Sequence, residues 1–160
     1  MAIVVDMHKH ISTATEGRSY FPWQQRWHVC MNWAYGKEAR KQGDPRDPEA
    51  LYPRQDIRMA DPEGKWAVQD MDEGGVDVSI CLPIDYSFSH GSESSIGIEE
   101  KQQHLAEMQE KYPGRIIGFA GPDPRRPGAP DIMARGIKEY GLKGLKLIPK
   151  AGYYMWQEEV

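Results

Sequence analysis

Two histidines lie one residue apart near the start of the chain, in the segment DMHKH at residues 6–10. They follow the apolar, β-branched run of residues 2–5, which is typical of a buried parallel strand. Because side chains alternate along a strand, Asp6, His8 and His10 are expected on one face, where the two imidazoles converge. Neutral imidazole binds zinc, manganese and iron. The spacing therefore predicts His8 and His10 as metal ligands, and the alternative is two histidines that merely end a strand.

The elements that must position these histidines follow the pattern of an α/β fold. Amphipathic helices and buried strands alternate along the chain, with helices at 61–75, 98–112 and 130–140 and strands at 76–82, 115–120 and 144–148. Strands separated by single helices imply parallel pairing with right-handed crossovers. We therefore predict four parallel strands as part of a (β/α) barrel, with an open doubly wound sheet as the alternative. In a barrel the active site lies at the carboxyl ends of the strands, where His8 and His10 stand.

Residues 11–60 interrupt this pattern as a long, aromatic-rich insertion after the first strand. Connections of this length in compact domains usually form lids, binding loops or contacts between subunits. We predict a lid or a substrate-pocket wall, and the alternatives are core packing of one short helix or a dimer contact. The candidate pocket residues, in the insertion and just past the fourth predicted strand, are Trp23, Trp27, Trp33, Tyr35, Tyr153 and Tyr154.

The composition excludes several classes of partner. The formal net charge is -4 and no block of lysine or arginine is present, which argues against nucleic acid and anionic membranes. No apolar run has the length of a membrane-spanning helix, and the N-terminus lacks the features of a secretory signal. The two cysteines, Cys30 and Cys81, have neither metal-site nor disulfide-scaffold spacing. We predict a soluble cytoplasmic protein that acts on a small molecule.

Four segments, one near each predicted strand, resemble the amidohydrolase-related family of metal-dependent hydrolases. They are DMHKH at 6–10, MDEGGVD at 71–77, YPGRIIGF at 112–119 and YGLKGLKLIP at 140–149. The family also contains decarboxylases of aromatic and related acids. The resemblance implies that residues 1–160 form a partial amidohydrolase-like barrel domain, the N-terminal half of a (β/α)8 TIM barrel. It also implies one divalent metal ion, most often zinc, bound by His8 and His10, with manganese and iron as alternatives. Asp6 would either orient one of the rings or be a buried structural residue.

The resemblance implies further ligands that this sequence does not contain, a histidine after a fifth strand and an aspartate after an eighth that acts as the base. His28, His90 and His104 do not match them, and His104 is expected on a helix surface. We therefore expect a second half-barrel, supplied by another chain, a homo-oligomer or the rest of a longer enzyme. The expected reaction is hydrolysis of C–N or C–O bonds by metal-activated water. The alternatives are non-oxidative decarboxylation and a non-catalytic structural or interaction subunit.

Overall fold

A three-stranded parallel sheet forms the centre of the fold. The computed structural model describes residues 2–13, 18, 20, 61–156 and 158. The strands lie side by side in chain order, as β1 Val5–Lys9, β2 Val78–Cys81 and β3 Ile116–Gly118. Both pairs are parallel. The α/β class and the parallel pairing follow from the alternation of apolar strands with amphipathic helices.

The connections between the strands carry the helices. They are α1 Lys65–Gly74, α2 Ser87–His90, α3 Ile98–Lys111 and α4 Ala129–Lys138, and a 3₁₀ turn covers Pro149–Ala151. The carboxylate of Asp61 accepts the N–H of Ala67 in the first turn of α1. Gly75, with φ of 65°, ends α1 in the left-handed conformation that glycine adopts without strain. None of the helices in the described ranges is long and apolar enough to cross a lipid bilayer.

The hydrophobic core lies between the sheet and the helices α1 and α3. It joins Cys81 and Ile116 of the sheet to Ala67 of α1 and Leu105 of α3. Cys81 is a free thiol, and its burial raises its pKa to about 12. Gly118 lets β3 approach α3 closely, because a Cβ there would lie 3.1 Å from the Leu105 Cβ. This packing fixes the carboxyl ends of the strands against one helical layer.

The fourth predicted strand does not form, and the prediction of half a TIM barrel with four parallel strands is wrong. Residues 144–148 contribute one isolated parallel bridge, between Leu145 and Ala120. The sheet among the described residues therefore ends at β3. Strand pairing of this segment is prevented from extending at both ends. At the start, Gly144 packs closely on the Phe119 ring. At the end, Pro149 has no N–H to donate to a neighbouring strand and begins a 3₁₀ turn.

Helix α3 buries polar side chains as well as apolar ones. His104 is 4% exposed, and its Nε2 lies 3.0 Å from the carbonyl oxygen of Pro62. The prediction of His104 as a helix-surface residue is therefore wrong. The reason is tertiary, because the turn before α1 folds over this part of α3 and supplies a partner for the imidazole.

Candidate functional site

His8 and His10 lie together at the carboxyl end of β1. Their Nε2 atoms are 3.1 Å apart, and the two rings are nearly perpendicular with centroids 4.9 Å apart. Two nitrogens bound to one tetrahedral zinc ion at Zn–N distances of about 2.0–2.1 Å are about 3.3 Å apart. The contact is a hydrogen bond between the two rings, with the donor set by the tautomers, and its length is also close to the spacing of two ligands of a single ion.

Strand β2 fixes the tautomer of His10. The Nδ1 atom lies 2.7 Å from the carbonyl oxygen of Leu82, the residue that follows β2. A ring nitrogen that faces a carbonyl carries the proton, so in the neutral ring Nε2 keeps its lone pair. Burial lowers the pKa of His10, the Leu82 hydrogen bond opposes this, and the charge of His8 lowers the pKa further. The neutral form, which is the form that binds a metal, is thus favoured.

Strand β1 reaches this arrangement through an irregularity in its pairing with β2. Asp6 pairs with Ser79 and Lys9 pairs with Cys81, so three steps along β1 match two steps along β2. One extra residue in one strand is the signature of a β-bulge. Paired residues point to the same face, so Asp6 shares a face with Lys9, whereas strict alternation predicted it beside the histidines. Asp6 Oδ1 accepts the backbone N–H of His8 at 2.9 Å.

A second group of ionisable side chains lies at the carboxyl ends of β2 and β3. We call it the charged cluster, and it consists of Asp85, Glu93, Asp123, Arg125 and Arg126. The guanidinium of Arg126 donates to both oxygens of the buried Asp85, at 2.8 and 2.9 Å, and also binds Glu93. Burial would raise the pKa of Asp85, but the hydrogen bonds from Arg126 and from the Asp123 N–H hold it below its usual value.

Arg125 joins the charged cluster to the end of the described chain. It donates to both carboxylate oxygens of Asp123, at 3.0 and 2.8 Å. It also donates to the carbonyl oxygens of Ala151 and Gly152. Its guanidinium lies 5.0 Å from the ring centroids of both Phe88 and Tyr153. These contacts use its donors within the protein and place it against two aromatic rings, which is the bonding of a structural arginine.

The aromatic residues predicted to line a substrate pocket differ in where they lie. Tyr153 is buried, and its hydroxyl accepts the N–H of Ile148 at 2.6 Å. Tyr154 is exposed and stacks on Trp156 with ring centroids 4.8 Å apart. The remaining candidates lie outside the described residues, as does most of the predicted insertion at 11–60; they are Trp23, Trp27, Trp33 and Tyr35.

Helix α3 also buries an ammonium group that was not predicted from the sequence. Lys101 is 2% exposed, and its Nζ donates to the carbonyl oxygen of Ile84 at 2.9 Å. The same Nζ lies 4.3 Å from the ring centroid of Tyr20, and burial lowers the pKa of Lys101 to about 8. A signal was present, because Lys101 falls on the same helical stripe as Ile98 and Leu105. A lysine on the apolar stripe of a helix needs buried acceptors, which the loop after β2 supplies.

Comparison with known proteins adds no family to this geometry: no protein-family model matches the chain, and a search of curated proteins finds no match. Within the ranges that the structure describes, no group of three or more histidine, cysteine, aspartate and glutamate side chains is arranged to hold a metal ion.

Proposed function

We propose that this chain supplies two imidazole ligands, His8 and His10, to a divalent metal site of a hydrolase that acts on a small-molecule substrate. The observation that carries the proposal is the 3.1 Å separation of the two Nε2 atoms, with the His10 tautomer fixed by the Leu82 carbonyl. The resemblance of the first strand segment to amidohydrolase-related proteins supports the same reading. Zinc is the ion we favour, because neutral imidazole is among its preferred ligands.

His10 and the Leu82 carbonyl have defined tasks in this proposal. His10 presents a lone pair because its other nitrogen donates to Leu82, and its burial keeps it neutral. When bound, the metal would supply Lewis acidity and a water of lowered pKa. Two imidazoles leave coordination positions for further ligands. We propose that these come from residues outside the described ranges or from a second polypeptide, and that the catalytic base comes from the same source.

The proposal is tested by metal content and affinity. The full chain is loaded with Zn²⁺, passed through a desalting column and analysed for metal per chain, and the zinc affinity is measured by competition with a chromophoric chelator. We expect His8→Ala and His10→Ala each to reduce the affinity by 100-fold or more, about 3 kcal/mol, because each removes one of two imidazoles. The metal-loaded protein is then assayed against panels of lactones, amides and aromatic carboxylic acids.

The matched control is His104→Gln, which removes an imidazole from α3 while keeping an N–H donor for the Pro62 carbonyl. This variant is expected to bind zinc as the wild type does. Zinc binding that is unaffected by loss of His8 and His10 would refute the metal site. If zinc binds at His8 and His10 but the protein turns over the carboxylic acids and not the lactones or amides, the metal site stands and the hydrolase assignment is refuted.

A cytoplasmic location is part of the same proposal. It rests on the composition of the chain and on Cys81, which is a free, buried thiol of the kind that a reducing compartment maintains. Cell fractionation with an antibody against the native protein tests it, and recovery of the protein from the extracellular medium would contradict it.

A further inference from the structure

We infer that Asp6 is a positioning residue for the metal site, which it serves by holding the β-bulge of β1 through the backbone N–H of His8. The inference rests on the proposed function, because it concerns the same two imidazoles. It assigns the carboxylate of Asp6 neither to the metal nor to a histidine ring. The observation behind it is the 2.9 Å hydrogen bond from the His8 N–H to Asp6 Oδ1, located inside the irregular part of the strand.

The bulge decides where the imidazoles point. The bulge lies between two regular pairs, Asp6 with Ser79 before it and Lys9 with Cys81 after it. In a regular strand that pairs Asp6 with Ser79, Lys9 would fall on the opposite face from Asp6. The extra residue restores Lys9 to the face of Asp6, next to the helical layer. His8, within the bulge, and His10, beyond it, then approach each other with the Nε2 atoms in contact distance.

A bulge leaves a backbone group without its partner in the ladder. On β1, the carbonyls of Val4 and Lys9 both accept N–H groups from the β2 side, so the ladder is intact before and after the irregularity. The N–H of His8 instead donates to the side chain of the residue two positions earlier, a local bond that aspartate forms readily. Asp6 therefore satisfies the group that the bulge would leave unpaired.

The far side of the bulge is fixed independently. The ammonium of Lys9 lies 3.5 Å from a carboxylate oxygen of Asp70 on α1, and the Lys9 carbonyl accepts the N–H of Leu82 at 2.9 Å. The Leu82 carbonyl in turn holds His10. With that side anchored to β2 and α1, the position of His8 depends on the Asp6 hydrogen bond.

The residue just before β2 provides a matched control. Asp77 Oδ2 accepts the backbone N–H of Val4 at 2.8 Å, which is the same kind of carboxylate-to-backbone bond at the other end of β1, before the bulge. Both bonds are exposed to solvent, so their loss should affect stability to a similar extent. Only the bond at His8 connects to the imidazoles.

The test compares Asp6→Ala, Asp6→Asn and Asp77→Ala in the full chain, with zinc affinity measured by chelator competition and stability by thermal unfolding without metal. Asp6→Ala is expected to weaken zinc binding about 10-fold, in the range observed when groups that orient metal ligands are removed. Asp6→Asn keeps an oxygen acceptor for the N–H, so it should restore affinity to within about 3-fold of wild type. Asp77→Ala should bind zinc as wild type does.

Hydrogen exchange in the metal-free protein gives a second readout. Exchange of the His8 amide should accelerate at least 10-fold in Asp6→Ala and stay unchanged in Asp6→Asn and Asp77→Ala. An Asn variant that binds zinc as weakly as the Ala variant would overturn the inference, because charge or direct ligation would then be at work. Unchanged zinc affinity in Asp6→Ala would overturn it too, while leaving the metal site intact. Failure of the proposed metal site is recognised separately, because zinc affinity would then be unchanged in His8→Ala and His10→Ala.

Discussion

The histidine pair and the charged cluster both lie at the carboxyl ends of the parallel strands, yet their polar atoms are used in opposite ways. In the charged cluster, Asp85 accepts bonds from Arg126, from the Asp123 N–H and from the Ser87 N–H, and it is almost fully buried. In the pair, the two Nε2 atoms face each other at a more exposed strand end. A cluster whose polar atoms are all paired stabilises the fold, whereas the exposed histidine pair is joined by one hydrogen bond between its rings, and our proposal assigns it to a metal ion.

The comparison is tested most strongly by removing Asp85. We expect Asp85→Ala to lower the free energy of unfolding by about 3–5 kcal/mol, because it leaves the Arg126 charge without its main partner. Urea denaturation measures the loss. The control is Asp72→Ala, which breaks an Asp–Arg pair with Arg115 that is largely exposed and should cost about 1 kcal/mol or less. Equal losses in the two variants would show that the charged cluster is no more structural than the surface.

The buried Lys101 predicts a dependence of stability on pH. Its pKa is lowered from 10.5 to about 8 in the folded chain. Between these values the unfolded chain holds a proton that the folded chain has released, so the free energy of unfolding rises with pH across this window. Below pH 8 the penalty of burying the ammonium is fully present. The rise, at about 1.4 kcal/mol per pH unit, amounts to about 3 kcal/mol.

Lys101→Met should abolish that rise, as measured by urea denaturation at pH 7.5, 9 and 10.5. Lys111, on the same helix, is the matched control because its pKa is raised by the hydrogen bond to Glu63. Its contribution is fully present below pH 10.5 and declines only above that value, so Lys111→Met should leave the rise between pH 7.5 and 10.5 unchanged. The same pH profile in both variants would contradict the structural role of Lys101.

Arg125 tests the part of the charged cluster that holds the last described segment. Arg125→Lys keeps the charge but loses the planar guanidinium and its contacts with the Phe88 and Tyr153 rings. We therefore expect the free energy of unfolding to fall by about 1–2 kcal/mol. Hydrogen exchange of the backbone amides of residues 151–153 should accelerate with it. The control Arg135→Lys alters a surface pair with Glu99 and should leave both measurements unchanged. Unaltered exchange at residues 151–153 in Arg125→Lys would show that the segment is held by other contacts.

The smallest expected effect on stability belongs to the histidine pair. His8 lies in the exposed part of β1, and we expect His8→Ala to change the free energy of unfolding by less than about 0.5 kcal/mol in the absence of metal. The same variant is expected to lose zinc binding. A large loss of stability without metal would place His8 with the charged cluster, as a structural residue, and would remove the contrast between the two regions.

The local sequence pattern was sufficient to locate the helices and strands with strong hydrophobic periodicity. Helix α3 was predicted at 98–112 and is found at Ile98–Lys111, and the strand predicted at 76–82 contains β2, Val78–Cys81. Residues 144–148 carried an equally apolar pattern and failed, because pairing beyond one bridge depends on Gly144, Phe119 and Pro149 together. A hydrophobic pattern is a property of one segment, whereas strand pairing depends on two segments and on how they meet.

The same limit applies to the sites. Spacing alone brought His8 and His10 forward as a pair, but alternation placed Asp6 on their face, and a bulge is invisible to a rule of strict alternation. The charged cluster joins residues about forty positions apart, such as Asp85 and Arg126, and no local signal links them. Contacts of that kind are decided by the fold as a whole.

Cys81 gives the molecule a built-in reporter of opening. The thiol lies in the central strand with no exposed surface, and its raised pKa leaves almost no thiolate at neutral pH while the sheet is closed. A thiol reagent added in excess therefore modifies Cys81 only in molecules whose core has opened. The labelling rate at Cys81, followed by peptide mass spectrometry, then reports how often the core opens under native conditions.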